Sequence, residues 1–152
     1  MKSLNFTARF IELATDINSH MPEHVALRVG DILNEDRLAV NGSRVLVLGA
    51  AYKANVSDVR ESPALDVMRE LMQKGAEVSY HDPHVPELDL DGRSLKSVDL
   101  TDEVLSGSDL VLIVTDHEAV DLARVVAKSA RVFDTRNATK GVREGREKIR
   151  LL

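Results

Sequence analysis

Apolar residues recur every three or four positions at the start of the chain: Phe6, Phe10, Leu13 and Ile17, then Val25, Val29, Ile32 and Leu33. That spacing predicts helix from about Leu4 to Asn34. Pro22 lies inside it, cannot donate an N–H to the Asn18 carbonyl, and crowds that carbonyl with its ring. A kink is expected there, or two helices with the second opening near Pro22.

From Asn41 the pattern changes to short β-branched runs separated by helical stretches. Arg44 to Gly49 reads as a strand buried on both faces. Ser62-Pro63 opens a helix, the hydroxyl as cap and the proline at the first helical position. Leu65, Met68, Leu71 and Met72 form its core face, Arg69 and Glu70 point to solvent, and Gly75 supplies a left-handed cap. Glu77 to His81, Leu110 to Val114 and Arg131 to Asp134 read as further strands, with helices at Asp102 to Leu105 and Glu118 to Lys128. Alternation of this kind predicts an α/β fold: a Rossmann-like three-layer domain over 39–152 with a mainly parallel sheet, preceded by a helical segment over 1–38. The polar stretch His84 to Leu100 reads as a long connection, and the basic tail from Lys140 to Arg150 as a solvated end.

Composition narrows the function classes. The 25 acidic and 20 basic residues leave a net charge of -5, which disfavours nucleic acid as partner. No apolar run approaches the roughly 20 residues that span a bilayer, so no membrane association and a cytoplasmic location are expected. The chain has no cysteine, so disulfides, thiolate metal sites and thiol catalysis lie outside this polypeptide.

In an open parallel sheet ligands bind beyond the carboxyl ends of the strands, and the unusual polar residues fall there. They are Gly49 to Pro63, Asp82-Pro83, Thr115-Asp116-His117 and Asp134 to Asn137. A dinucleotide loop needs three glycines, and only Gly49 is present, so an independent NAD site is not expected. Lys53, Arg60 and Arg136 are instead cations that suit a diphosphate or a carboxylate. The plainer alternative is that each is a solvated charge, that Asp58 pairs with Arg60 to hold a turn, and that Asp82-Pro83 is itself only a turn. His81, His84 and His117, or His20 with His24, lack the cysteine or acidic cluster of a metal site, so no metal is expected.

The run Leu48-Gly-Ala-Ala-Tyr-Lys-Ala-Asn-Val-Ser-Asp-Val-Arg-Glu-Ser-Pro63 resembles the C-terminal domain of the UDP-glucose and GDP-mannose dehydrogenase family. The resemblance extends through Phe10 to Ala14, Ile17-Asn18, Met21-Pro22, Tyr80 to Pro83, Thr115 to His117 and Asp134 to Asn137. It implies a UDP-sugar-binding domain of an NAD-dependent 6-dehydrogenase, which oxidises a C6 alcohol to a carboxylate through a thiohemiacetal on a cysteine. The chain would then be half of an active site and inactive alone, partnered by the N-terminal NAD-binding and central domains of the same enzyme within a homo-oligomer. By the same resemblance Tyr52, Lys53 and Arg136 contact the nucleotide-sugar, and Arg60 reaches toward NAD on the other domain. Ala54 departs from the Lys or Pro of many relatives. The Phe-Ile-Glu-Leu-Ala wording is closer to dehydrogenases of UDP-N-acetylhexosamines than to those of UDP-glucose. A stand-alone nucleotide-binding or regulatory module and a purely structural oligomerisation domain are the competing readings. The genomic sequence upstream of Met1 discriminates the first of these.

Overall fold

A computed structural model describes residues 2–152, with side chains described from residue 8 onward. The chain opens with α1 (Lys2–Glu35), a single helix that carries Pro22 within it. The alternative of two helices is not what forms. Pro22 is buried, and beyond it Val25, Ala26, Val29, Ile32 and Leu33 pack into the core, so tertiary burial carries the helix past one missing hydrogen bond. Phe6 lies outside the residues whose side chains are described.

The remaining elements alternate: β1 (Arg44–Leu48), α2 (Pro63–Gln73), β2 (Glu77–His81), β3 (Glu87–Leu90), β4 (Arg93–Lys96), α3 (Asp102–Gly107), β5 (Leu110–Ile113), α4 (Leu122–Lys128), β6 (Val132–Asp134) and β7 (Ile149–Leu151). Five strands form one sheet in the order β2-β1-β5-β6-β7, every pair parallel. Residues alternate between its faces. Val45, Val47, Leu110, Leu112 and Phe133 pack with α1 and α2, whereas Leu46, Leu48, Val111, Ile113 and Val132 pack with α3 and α4. The expected three-layer α/β fold is therefore what the chain adopts.

Caps set the helix starts. Ser62 accepts the Ala64 N–H ahead of Pro63, as expected, and Gly75 is left-handed at φ +86. Helix α4 begins four residues later than the apolar spacing predicts, because Asp121 is the residue that caps it, accepting the Arg124 N–H at 3.0 Å.

Two stretches depart from expectation. Within His84 to Leu100, β3 and β4 form an antiparallel hairpin, closed by Asp91 (φ 54) and Gly92 (φ 81), the paired positive angles of a two-residue hairpin turn. Leu88 and Leu90 bury its inner face, and the Tyr80 hydroxyl donates to the Val85 carbonyl at 2.9 Å. Burial pushes the Tyr80 phenol up to about 12. The tail from Lys140 to Arg150 is not a free end. Arg146 donates to the carbonyls of Thr139 and Val142, Lys148 to those of Val126 and Ala127, and Ile149–Leu151 closes the sheet as β7.

Candidate functional site

The strand order reverses between β1 and β5: β2 lies to one side of β1, while β6 and β7 lie beyond β5. Connections leave the sheet in opposite directions there, so a crevice opens at the carboxyl ends of the strands. A cleft of about 830 Å³ occupies that place. Its lining includes Tyr52 and Lys53 from the loop after β1, Val114 after β5, and Thr135 and Arg136 after β6. Its far wall is one face of α1, with Thr15, Asn18, Ser19, Pro22 and Val25 at spacings of three and four. The volume is that of an ordinary small-ligand pocket.

Each loop is held by a buried carboxylate. Asp134 accepts the N–H groups of Arg136 (2.9 Å), Ala138 (3.2 Å) and Thr139 (2.8 Å) and the Thr139 hydroxyl (2.6 Å), which winds the backbone around it and carries the Arg136 side chain outward. Asp82 accepts the N–H groups of Ala50 (2.8 Å), Ala51 (2.9 Å) and His84 (2.8 Å) and lies 2.8 Å from His117 Nε2. Burial pushes the Asp82 carboxyl up, but the backbone donors of Ala51, His84 and Ala50, together with His117, outweigh it and hold the group below its ordinary value. Asp82 is thus more than a turn residue.

Of the cations expected at the site, the fold brings two together. Lys53 and Arg136 both line the cleft, and neither makes an ion pair among the described residues. Tyr52 is beside them and exposed. Two carboxylates share the lining: Asp66, paired with Arg69, and Glu61, in left-handed backbone at φ 57. Arg60 is not part of the lining. Its guanidinium donates to both Asp58 oxygens at 3.0 and 2.8 Å while staying 87% exposed, and this pairing lowers the Asp58 carboxyl to about 2.

Gly49 answers whether this loop fits a dinucleotide. At φ +88, an added Cβ would lie 2.4 Å from the Thr115 Cβ and 2.6 Å from the Thr115 carbonyl oxygen. The room left by the missing side chain is filled by Thr115, and no second glycine follows before Ser62. The residues present do not fit an NAD pyrophosphate.

The α1 face and the buried pair of Asp82 and His117 escape a reading of local motifs. A signal for the first existed in the helical spacing of Thr15, Asn18, Ser19 and Pro22, polar or helix-breaking positions on one face. The second joins residues 35 positions apart, which no local pattern encodes.

The family model for the UDP-glucose/GDP-mannose dehydrogenase family, UDP binding domain, matches residues 46–141. A UDP-N-acetyl-D-mannosamine dehydrogenase from Methanococcus maripaludis is 36% identical over 138 residues, covering 86% of this chain and 30% of that protein. A UDP-glucose 6-dehydrogenase from Rickettsia bellii is 27% identical over 148 residues, covering 92% of this chain and 33% of that protein. Among solved structures, the UDP-N-acetyl-mannosamine dehydrogenase of S. aureus aligns with a TM-score of 0.71 at 31% identity, over 97% of this chain and 33% of that one. The chain spans about a third of the length of these relatives. With the matched region running from β1 to the loop that carries Arg136, the chain belongs to the UDP-glucose/GDP-mannose dehydrogenase family and contains its UDP binding domain.

Proposed function

We propose that the cleft binds the UDP portion of a UDP-sugar, and that the chain serves as the nucleotide-sugar-binding domain of an NAD-dependent UDP-sugar 6-dehydrogenase. The observation that carries this is the meeting of Tyr52, Lys53 and Arg136, from two separate strand ends, in one cleft at the point where the strand order reverses. Lys53 supplies a mobile point charge to a phosphate oxygen, and Arg136 a planar fork for two more. Tyr52 offers a ring and a hydroxyl at the rim.

The oxidation itself needs groups this chain does not carry. Without a cysteine it forms no thiohemiacetal, and without a dinucleotide loop it holds no hydride acceptor of its own. In this reading α1 is the end of a central helical region, and the NAD-binding and thiol-bearing parts belong to a longer polypeptide, in the cytoplasm, that makes uronic acid precursors of surface glycans. In the same reading Arg60, which is exposed and outside the cleft, reaches across toward NAD. The names of the relatives support a UDP-N-acetylhexosamine, N-acetylmannosamine among them, as the sugar.

Titration calorimetry tests the ligand assignment. UDP should bind the 152-residue chain more tightly than NAD, in the millimolar range or about -4 kcal/mol, since the chain offers only one wall of the complete site. The reverse order of affinity overturns the assignment.

A further inference from the structure

Behind the cleft wall lies a buried polar pair, His117 and Asp82, neither of which lines the cleft. His117 and Asp82 have fully buried side chains, and His117 Nε2 lies 2.8 Å from Asp82 Oδ2. The other ring nitrogen, Nδ1, receives the N–H of Asn55 at 3.0 Å. A nitrogen that accepts an N–H carries no proton, so the proton sits on Nε2. His117 is then a donor toward Asp82 and an acceptor toward Asn55. Asn55 is itself in left-handed backbone at φ 61, and its Oδ1 accepts the Glu118 N–H at 3.1 Å.

These bonds bracket the two residues assigned to the ligand. Ala50 and Ala51 are pinned by Asp82, the Ala51 carbonyl accepts the Thr115 hydroxyl at 2.8 Å, and Asn55 is pinned by His117. Only residues 52–54 lie between the two anchors, and within them Tyr52 donates its N–H to the Asp58 carbonyl at 2.7 Å. A loop of about a dozen residues, most of them exposed, left free would have to be ordered when the diphosphate arrives, which weakens binding. Here the backbone on both sides of residues 52–54 is already held.

We propose that Asp82 and His117 are positioning residues for the nucleotide-sugar, presetting the Tyr52–Lys53 segment through the backbone on either side of it. This rests on the reading of the cleft as a UDP site. A purely structural pair would hold β2 to β5 and leave loop order and ligand affinity alone, so the two roles separate experimentally.

His117→Gln and His117→Asn divide the bridge. The glutamine amide keeps a donor where Nε2 sits but places no acceptor at Asn55, and because the Asp82 carboxylate keeps its partner the fold should survive, as thermal melting checks. Asparagine places its oxygen where Nδ1 sits but cannot reach Asp82. Amide hydrogen exchange without ligand and UDP titration are measured on the full chain. In His117→Gln the amides of Tyr52 and Asn55, the two hydrogen-bonded ones of the segment, should exchange about tenfold faster, with those of Val45 to Leu48 unchanged, and the UDP Kd should rise about tenfold. His117→Asn should recover most of both effects.

Wild-type exchange and Kd in His117→Gln overturn the proposal, as does an equal loss in His117→Asn. In the wild-type chain, imidazole ¹⁵N shifts must place the His117 proton on Nε2, and a protonated Nδ1 overturns the proposal whether or not either variant folds. If wild-type chain fails to bind UDP, the nucleotide reading falls and the exchange pattern still decides whether His117 orders the loop.

Discussion

Arg150, on the edge strand β7, donates through Nη2 to the Glu35 carboxylate at the end of α1 across 2.6 Å. The two residues stand 115 positions apart, and the bond closes the chain on itself. Arg131, at the entry to β6, adds contacts to Glu35 and Asp36, so two arginines from neighbouring strands grip one helix end. Cations are also the charges that a helix C-terminus attracts.

Arg150→Ala should loosen β7 without unfolding the sheet, seen as faster amide exchange at Ile149 and Leu151. The hydrogen bond from Arg150 is the leading cause that lowers the Glu35 carboxyl below its ordinary value of 4.5. A carboxyl lowered in the folded state stabilises fully above its ordinary value and loses that contribution as pH falls through the lowered one. The difference in melting temperature between wild type and variant should therefore be largest at neutral pH, shrink in strong acid to what the Arg150 bonds to the Glu147 and Ile149 carbonyls contribute, and shrink in high salt because the pair is partly exposed. A gap that persists unchanged in acid rejects the ion pair as its source.

Gly49→Ala should be among the most damaging single substitutions in the chain. It combines a left-handed residue with a Cβ placed inside the contact distance of Thr115, and both costs fall at the root of the ligand loop. Together they amount to about 3 kcal/mol, or roughly 10 °C in melting temperature for a chain of this size. An alanine variant as stable as wild type would mean that β1 and β5 can part at their ends, and the cleft walls with them.

Strand, helix and glycine positions in the central sheet were readable because each element carries its own periodicity: Val45 to Leu48 is apolar throughout, and Ser62-Pro63 announces α2. The hairpin is encoded too, in Asp91-Gly92 between Leu88, Leu90 and Leu95, but its strands are four residues each, β3 half polar and β4 mostly so, and they blend into a connection. Strand β7 has no such signature. Ile149-Arg150-Leu151 becomes a strand only because β6 offers an open edge and Glu35 waits across the fold. For the site, Lys53 and Arg136 could be named from charge at strand ends, and the pairing of Asp58 with Arg60 from their closeness in sequence, yet the pairing of Asp82 with His117 joins two separate loops that charge alone does not bring together.

Lys53→Ala and Arg136→Ala should each weaken UDP binding about tenfold, the loss of one charge-assisted contact to a phosphate. Arg60→Ala should leave UDP affinity close to wild type, since Arg60 lies outside the cleft, and its effect should fall on NAD when the longer polypeptide is assayed. Equal affinity in all three variants would remove the diphosphate from this cleft. Calorimetry with UDP and with uridine separates phosphate contacts from base contacts, because only the first should respond to these substitutions.

The final prediction concerns association. Leu13 and Ile17 share one face of α1 with Phe10, and all three are more than half exposed. That face lies roughly opposite the one formed by Thr15, Asn18, Ser19 and Pro22, so it turns away from the cleft. Burying an aliphatic side chain of this size contributes about 1.5–3 kcal/mol, which leaves a strong drive to cover the stripe. The chain should therefore self-associate through α1 at concentrations where the sheet domain alone would be monomeric. Sedimentation of the wild type beside Leu13→Ser with Ile17→Ser decides it, since both substitutions sit on exposed positions and should leave the fold intact. A concentration-dependent increase in mass that the double variant abolishes, with melting of the dilute protein unchanged, supports the interface. Two monomers under all conditions would reject a second copy of this helix as what covers the stripe.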